Sequence, residues 1–155
     1  VKFANEGGKV LGVCNGFQIL CESGLLPGAL LLNDHQKFTC KNVYIKSEGK
    51  NNLIGHNIGE TALKIPVAHG EGRYYADAAT MEQLNKNNQV VFRYCDEKGE
   101  VHINSNPNGA INNIAGICNE GRNVYGMMPH PERACSTDLN NIDGRAILEA
   151  FTHMN

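Results

Sequence analysis

The sequence predicts a single α/β domain, and three observations carry that prediction. The apolar run Val10 to Val13 switches at Cys14 from strand-type to helical patterning. Helix–strand alternation in the first part of the chain gives way to a more β-rich middle. Asp143 to His153 then places Ile147, Leu148 and Phe151 at helical spacing, as in a terminal helix docked on a sheet. A chain of 155 residues suits one domain that buries roughly 68–70% of its unfolded surface.

Composition narrows the function classes. A net charge of −2, with no Lys/Arg cluster, offers no electrostatic case for nucleic acid or a membrane surface. No apolar run approaches the ~20 residues needed to span a bilayer, and no signal peptide opens the sequence. Cys14, Cys21, Cys40, Cys95, Cys118 and Cys135 are scattered without a C-x-x-C pair. That spacing argues against zinc and against a disulfide framework, and predicts a reducing, cytoplasmic setting.

In chain order, Val1 to Glu6 reads as the tail of a helix, stopped by Gly7 and Gly8. The strand Val10–Val13 leads into a helix running to about Ser23, with Phe17, Ile19, Leu20 and Cys21 on its buried side. Gly24 ends it, and Leu25-Leu26-Pro27-Gly28 is a turn. Phe38 to Ser47 alternates as a strand, Asn51 to Gly59 is a weakly patterned connection, and Thr61 to Ala68 is another strand. His69 to Tyr74 is a Gly-rich polar loop that packing alone does not require. Thr80 and Gln83 form a capping box opening a short helix. Val90 to Tyr94 is a buried strand, Asp96 to Gly109 is polar, and Asn106-Pro107-Asn108-Gly109 is a turn. Strands follow at Ile114–Cys118 and Asn123–Met128, joined by a turn at 119–122.

The chemistry-bearing stretch is Gly12-Val13-Cys14-Asn15-Gly16, a nucleophile elbow with cysteine in the serine position. Gly12 and Gly16 leave room where side chains two residues either side of the nucleophile would collide. The elbow aims the first helical N–H groups, beginning with Asn15, at whatever the sulfur attacks. Those donors and the helix dipole favour a thiolate and a developing oxyanion. The same motif also fits a buried, inert cysteine ahead of a helix.

A second stretch, Met127-Met128-Pro129-His130-Pro131-Glu132-Arg133, follows the last strand. The flanking prolines predict an extended segment, in which His130 and Glu132 share a side. Glu132 can then orient the imidazole, and His130 can take a proton from a thiol. A solvated surface loop is the alternative for this segment alone. Cys14 and His130 are both expected at the carboxyl edge of a parallel sheet. His35, His56, His102 and His153 read as solvated. His69 stands open between a wall of the site and a structural histidine.

These residues resemble the class I (triad) glutamine amidotransferases. Gly12, Cys14, Gly16 and Gln18 match that class's G-x-C-x-G-x-Q motif, and His130 and Glu132 match its paired H-x-E. GVCNGFQIL, GLLPGALL, PVAHGEGRY, NPNG, NIAGI and GMMPHPER narrow the resemblance to the branch serving purine (IMP) biosynthesis, over essentially all 155 residues. The resemblance implies a three-layer, flavodoxin-like mixed sheet in one type 1 amidotransferase domain. It implies a Cys14–His130–Glu132 triad, with Asn15 as oxyanion donor and Gln18, His69, Gly70 and Glu71 binding glutamine. No metal or cofactor is expected on this chain. Ammonia would pass to a synthetase subunit using ATP and Mg²⁺, with a small bridging subunit between them. The domain is expected to be N-terminally partial, lacking its first strands and the loop that carries a second oxyanion donor. The Val10–Val13 strand would then be an exposed apolar edge, and the chain as written a poor glutaminase. Two other readings remain: a catalytically silent fragment that only binds a partner, and an unrelated Cys–His hydrolase.

Overall fold

The computed structural model describes residues 1–48, 54, 58, 59 and 61–153. In chain order the elements are α1 (Lys2–Asn5), β1 (Val10–Val13), α2 (Asn15–Glu22), β2 (Ala29–Leu32), β3 (Thr39–Ser47), β4 (Leu63–His69), β5 (Glu71–Tyr75), α3 (Ala78–Lys86), β6 (Val90–Cys95), β7 (Ile114–Cys118), β8 (Val124–Met127) and α4 (Asp143–Thr152). The connection at Asn51–Gly59, with His56, lies largely outside the described residues. Gly7 (φ 88°) and Gly24 (φ 74°) stop α1 and α2 in the left-handed region.

Six strands form one sheet in the order β1-β8-β7-β6-β3-β4, and β2 pairs with β5 in a separate ribbon. The sheet is mixed, as the resemblance implied, but it is not the parallel sheet expected around the site. Among the described strands only β1 and β8 run parallel; the other four neighbouring pairs are antiparallel. Short connections such as the 119–122 turn can join only antiparallel neighbours. Among the described strands β1 is an edge, with Val10, Leu11 and Val13 only partly buried.

Adjacent strand residues point to opposite faces, and β8 shows what covers each. A side chain at Gly126 would collide with the Phe17 ring of α2. Its neighbour Tyr125 meets Phe151 of α4 edge-on, with ring centroids 6.1 Å apart. Helices therefore cover both faces, giving three layers. Ile45, Ile65, Phe92, Ile114 and Ile117 fill the core between them.

Three readings of the sequence need correction. His69–Tyr74 is not a loop: Gly70 alone turns the chain, and Glu71–Tyr75 is β5, with Gly72 and Tyr74 inward. The glycine at an inward position erased the alternation that marks a strand. β2 was not foreseen, because Ala-Leu-Leu-Leu has no period; it is half-exposed and held by pairing with β5. Asp77, not Thr80, caps α3, accepting the Thr80 backbone N–H at 2.8 Å. A carboxylate immediately before Ala78 and three residues ahead of Thr80 served better than the threonine inside the helix.

The elbow glycines are not equivalent. A Cβ on Gly12 would lie 2.5 Å from Leu20 Cδ1 and 2.7 Å from the backbone of Gly16, whereas one on Gly16 would meet nothing within 4 Å. Only Gly12 is compelled by close approach. Gly12→Ala is expected to cost about 1–3 kcal/mol by overpacking against backbone that cannot yield. Gly16→Ala should be neutral or stabilise by up to about 1 kcal/mol through helix propensity. Urea unfolding of the two variants checks this; equal losses would show that the turn tolerates neither.

Candidate active site

Cys14 carries the strain of the elbow. Its φ of 52° and ψ of −106° are foreign to a residue with a Cβ, a conformation that costs about 1–3 kcal/mol. Two bonds hold it there. Cys14 N–H donates to Met127 O of β8 at 2.8 Å, and Gln18 N–H donates to Cys14 O at 3.2 Å, opening α2. β1 thus runs beside β8 up to the nucleophile position, and the helix begins immediately after it.

The thiol is half-buried and points to Ala68 O of β4 at 3.8 Å. Burial pushes its pKa up. The Asn15 backbone N–H and the Arg133 charge pull it down, and Glu132 pushes it up again; the net direction is upward. The helix N-terminus therefore does not make a resting thiolate, contrary to the expectation from the elbow, because desolvation outweighs it. The Asn15 N–H nevertheless reaches the sulfur.

His130 follows β8. Its N–H donates to Pro66 O at 2.8 Å, and its Nδ1 lies 2.6 Å from Glu132 Oε1. The pair forms, but not through extended chain. Pro131–Arg133 is a 3-10 turn beginning just after His130, since proline's fixed φ suits the first helical position as readily as a strand. Glu132 accepts, so Nδ1 carries the proton and Nε2 presents a lone pair. Nε2 is buried and has no partner among the described residues. Arg133 lies 3.9 Å from the same carboxylate.

α4 clamps this turn, which the sequence did not reveal. Gly144 N–H donates to Ala134 O at 2.6 Å, and any side chain on Gly144 would collide with the Pro131 backbone. A glycine in the first turn of an otherwise amphipathic helix was the available signal.

β4 is the far edge of the sheet from β1, yet it meets both ends of the site. Four of its outward backbone groups, at alternate positions, are engaged. Lys64 N–H donates to Asp143 Oδ2 and Lys64 O accepts from Asn141 Nδ2. Pro66 O accepts from His130, and Ala68 O faces the thiol. The sheet is curled until its first and last strands face one another across the site. Pro66, which lacks an N–H, marked β4 as an edge strand.

The remaining predicted residues gather at the end of β4. Gln18 Nε2 donates to Glu71 O at 2.6 Å, tying α2 to β5 beyond the Gly70 bend. His69 is held structurally. It is 3% exposed, bonded through Nδ1 to Asn33 Oδ1 at 3.0 Å, and its Nε2 has no partner among the described residues. Burial, with His130 nearby, pushes its pKa down to about 4. Of the histidines read as solvated, His35 and His102 are exposed, His35 also bonded to Pro107 O and the Lys37 N–H and His102 pairing with Asp96. His153 is exposed as expected, its ring bonded to Glu149 O.

Among the described residues, no three His, Cys, Asp or Glu side chains gather as metal ligands. No described helix is long and apolar enough to cross a membrane.

Several known proteins are similar to this chain. A subunit named phosphoribosylformylglycinamidine synthase subunit PurQ from Koribacter versatilis is 53% identical over 152 residues, covering 97% of this chain and 65% of the relative. The protein of that name from Methanosarcina mazei is 50% identical, with the same coverage. The structure of PurLQS from Thermotoga maritima matches with a TM-score of 0.80 at 38% identity, covering 97% of this chain and 64% of that one. A glutamine amidotransferase from Thermotoga maritima shares the fold at 16% identity and a TM-score of 0.54. The chain thus spans about 65% of the length of the two PurQ relatives. The model of the CobB/CobQ-like glutamine amidotransferase domain matches residues 1–152, and the chain belongs to that family.

Proposed function

We propose that this chain hydrolyses glutamine to glutamate and ammonia for a phosphoribosylformylglycinamidine synthase of purine biosynthesis. One observation carries the reading most directly. A histidine whose Nδ1 is held by a carboxylate at 2.6 Å keeps a buried Nε2 with no partner among the described residues, and the half-buried cysteine at the strained elbow feels the charges of Glu132 and Arg133, which follow that histidine. That is the tautomer a general base needs.

Cys14 gives its proton to His130 Nε2 as sulfur attacks the glutamine carboxamide carbon. The Asn15 N–H stabilises the oxyanion of the tetrahedral intermediate. As the C–N bond breaks, His130 returns the proton to the leaving nitrogen, releasing ammonia and leaving a γ-glutamyl thioester on Cys14. His130 then takes a proton from water, whose oxygen attacks the thioester; glutamate leaves and the thiol is restored. Glu132 keeps the imidazole oriented and stabilises its charged form. Gln18, His69, Gly70 and Glu71 form the glutamine-binding wall. The raised pKa of Cys14 makes this base necessary.

The ammonia goes to a synthetase subunit that uses ATP and Mg²⁺, joined through a small bridging subunit. The test is amidine formation from formylglycinamide ribonucleotide by the assembled subunits. With this chain present, glutamine should replace ammonium salts as nitrogen donor; without it, only ammonium salts should work. Failure of glutamine to support synthesis in the complete mixture would overturn the assignment.

A further inference from the structure

Asn33, at the end of β2, joins parts of the chain that no motif connects, and its role rests on the glutaminase reading above. The side chain is buried, at 1% exposure. Its Nδ2 donates to Lys37 O at 2.8 Å and His69 O at 2.9 Å, with Thr39 Oγ1 at 3.3 Å. Carbonyls can only accept, so this end of the amide is the NH₂ group. Its Oδ1 faces the Gly72 N–H at 3.2 Å, which can only donate. The same oxygen lies 3.0 Å from His69 Nδ1, so Nδ1 must carry the proton and Nε2 the lone pair.

The ring cannot turn away from this arrangement. Gly72 lies against the imidazole so closely that any side chain there would overlap it. His69 also sits between two anchor points of the elbow: Ala68 O faces the Cys14 thiol, and Glu71 O holds Gln18. At that place the buried Nε2 has no partner among the described residues. A buried acceptor without a donor is costly, and its location at the elbow points to a donor that arrives with the substrate.

We propose that Asn33 is a positioning residue that locks His69 in the Nδ1-protonated tautomer, making Nε2 a fixed acceptor for an N–H group of bound glutamine. The titratable groups that bear on His69 are His130 and His35, and a proton on either opposes its protonation along with burial. Nε2 therefore stays an acceptor across the neutral range.

The test uses two variants. His69→Asn keeps a donor for Asn33 Oδ1 but has no atom at the Nε2 position. Its KM for glutamine should rise roughly tenfold, the loss of about one hydrogen bond, with kcat and the unfolding midpoint near wild type. Asn33→Asp places a carboxylate against Nδ1, which raises the pKa of His69. As pH falls from about 8 to about 6, its Nε2 gains a proton and KM should climb, while the wild-type KM stays flat. Nitrogen NMR of His69 in the wild-type protein should report the Nδ1–H tautomer. An Nε2–H tautomer, or an unchanged KM in His69→Asn, would overturn the proposal. Absence of glutamine turnover by the wild-type protein would instead overturn the glutaminase reading and the named substrate with it, while the NMR spectrum still decides the tautomer.

Discussion

Glutamine hydrolysis is expected to vanish in Cys14→Ala and to fall by about 10²–10⁴ in His130→Asn, the range a general base contributes. The thiol is held up by burial, so little thiolate exists until a base accepts the proton. Removing the base then costs nearly as much as removing the sulfur, as in groups that act as a unit. Glu132→Gln should be milder. The carboxylate is half-exposed, so water can replace part of its support, although the imidazole loses its fixed tautomer. Glutamate release by each purified variant reads the series. In the assembled enzyme, synthesis from ammonium salts should survive every one of these changes. Near-normal turnover by His130→Asn would show that another group accepts the proton.

Phe17→Ala is expected to be the most damaging single change to stability, at about 3–5 kcal/mol. The side chain is fully buried. It stacks on Tyr74 of the β2–β5 ribbon with centroids 5.7 Å apart and planes 12° from parallel, and it fills the space over Gly126. It is therefore the joint between the elbow helix, the sheet and the ribbon that carries Glu71. At roughly 2–4 °C per kcal/mol for a chain of this size, the melting temperature should drop by about 6–20 °C. Phe151→Ala on the opposite face should cost less, because that ring is only half-buried. A loss below about 1 kcal/mol for Phe17→Ala would mean that α2 is anchored elsewhere.

Local patterns in the chain determined much of this. A glycine before a cysteine and a helical run after it specify the elbow, because sterics within five residues decide that turn. His130 and Glu132 are two positions apart, so either an extended segment or a 3-10 turn brings them together; the pairing was legible although its backbone was not. Alternation and spacing located β3, β4, β6, β7, β8 and α4 to within a few residues.

What the tertiary structure alone decided are relations between residues distant in sequence. No local pattern says that β4, five strand positions from β1, curls back until Ala68 O faces Cys14 and Pro66 O holds His130. That depends on sheet twist and on which hairpins close. The resting state of the thiol was likewise hidden, since desolvation is set by whatever packs around the sulfur and here outweighs the helix N-terminus. Gly72 and Gly144 read as loop and helix glycines, and their function lies in what touches them: the His69 ring and the Pro131 backbone. Asn33 had no motif at all. Its four bonding partners come from residues 37, 39, 69 and 72, and only folding brings them to one amide.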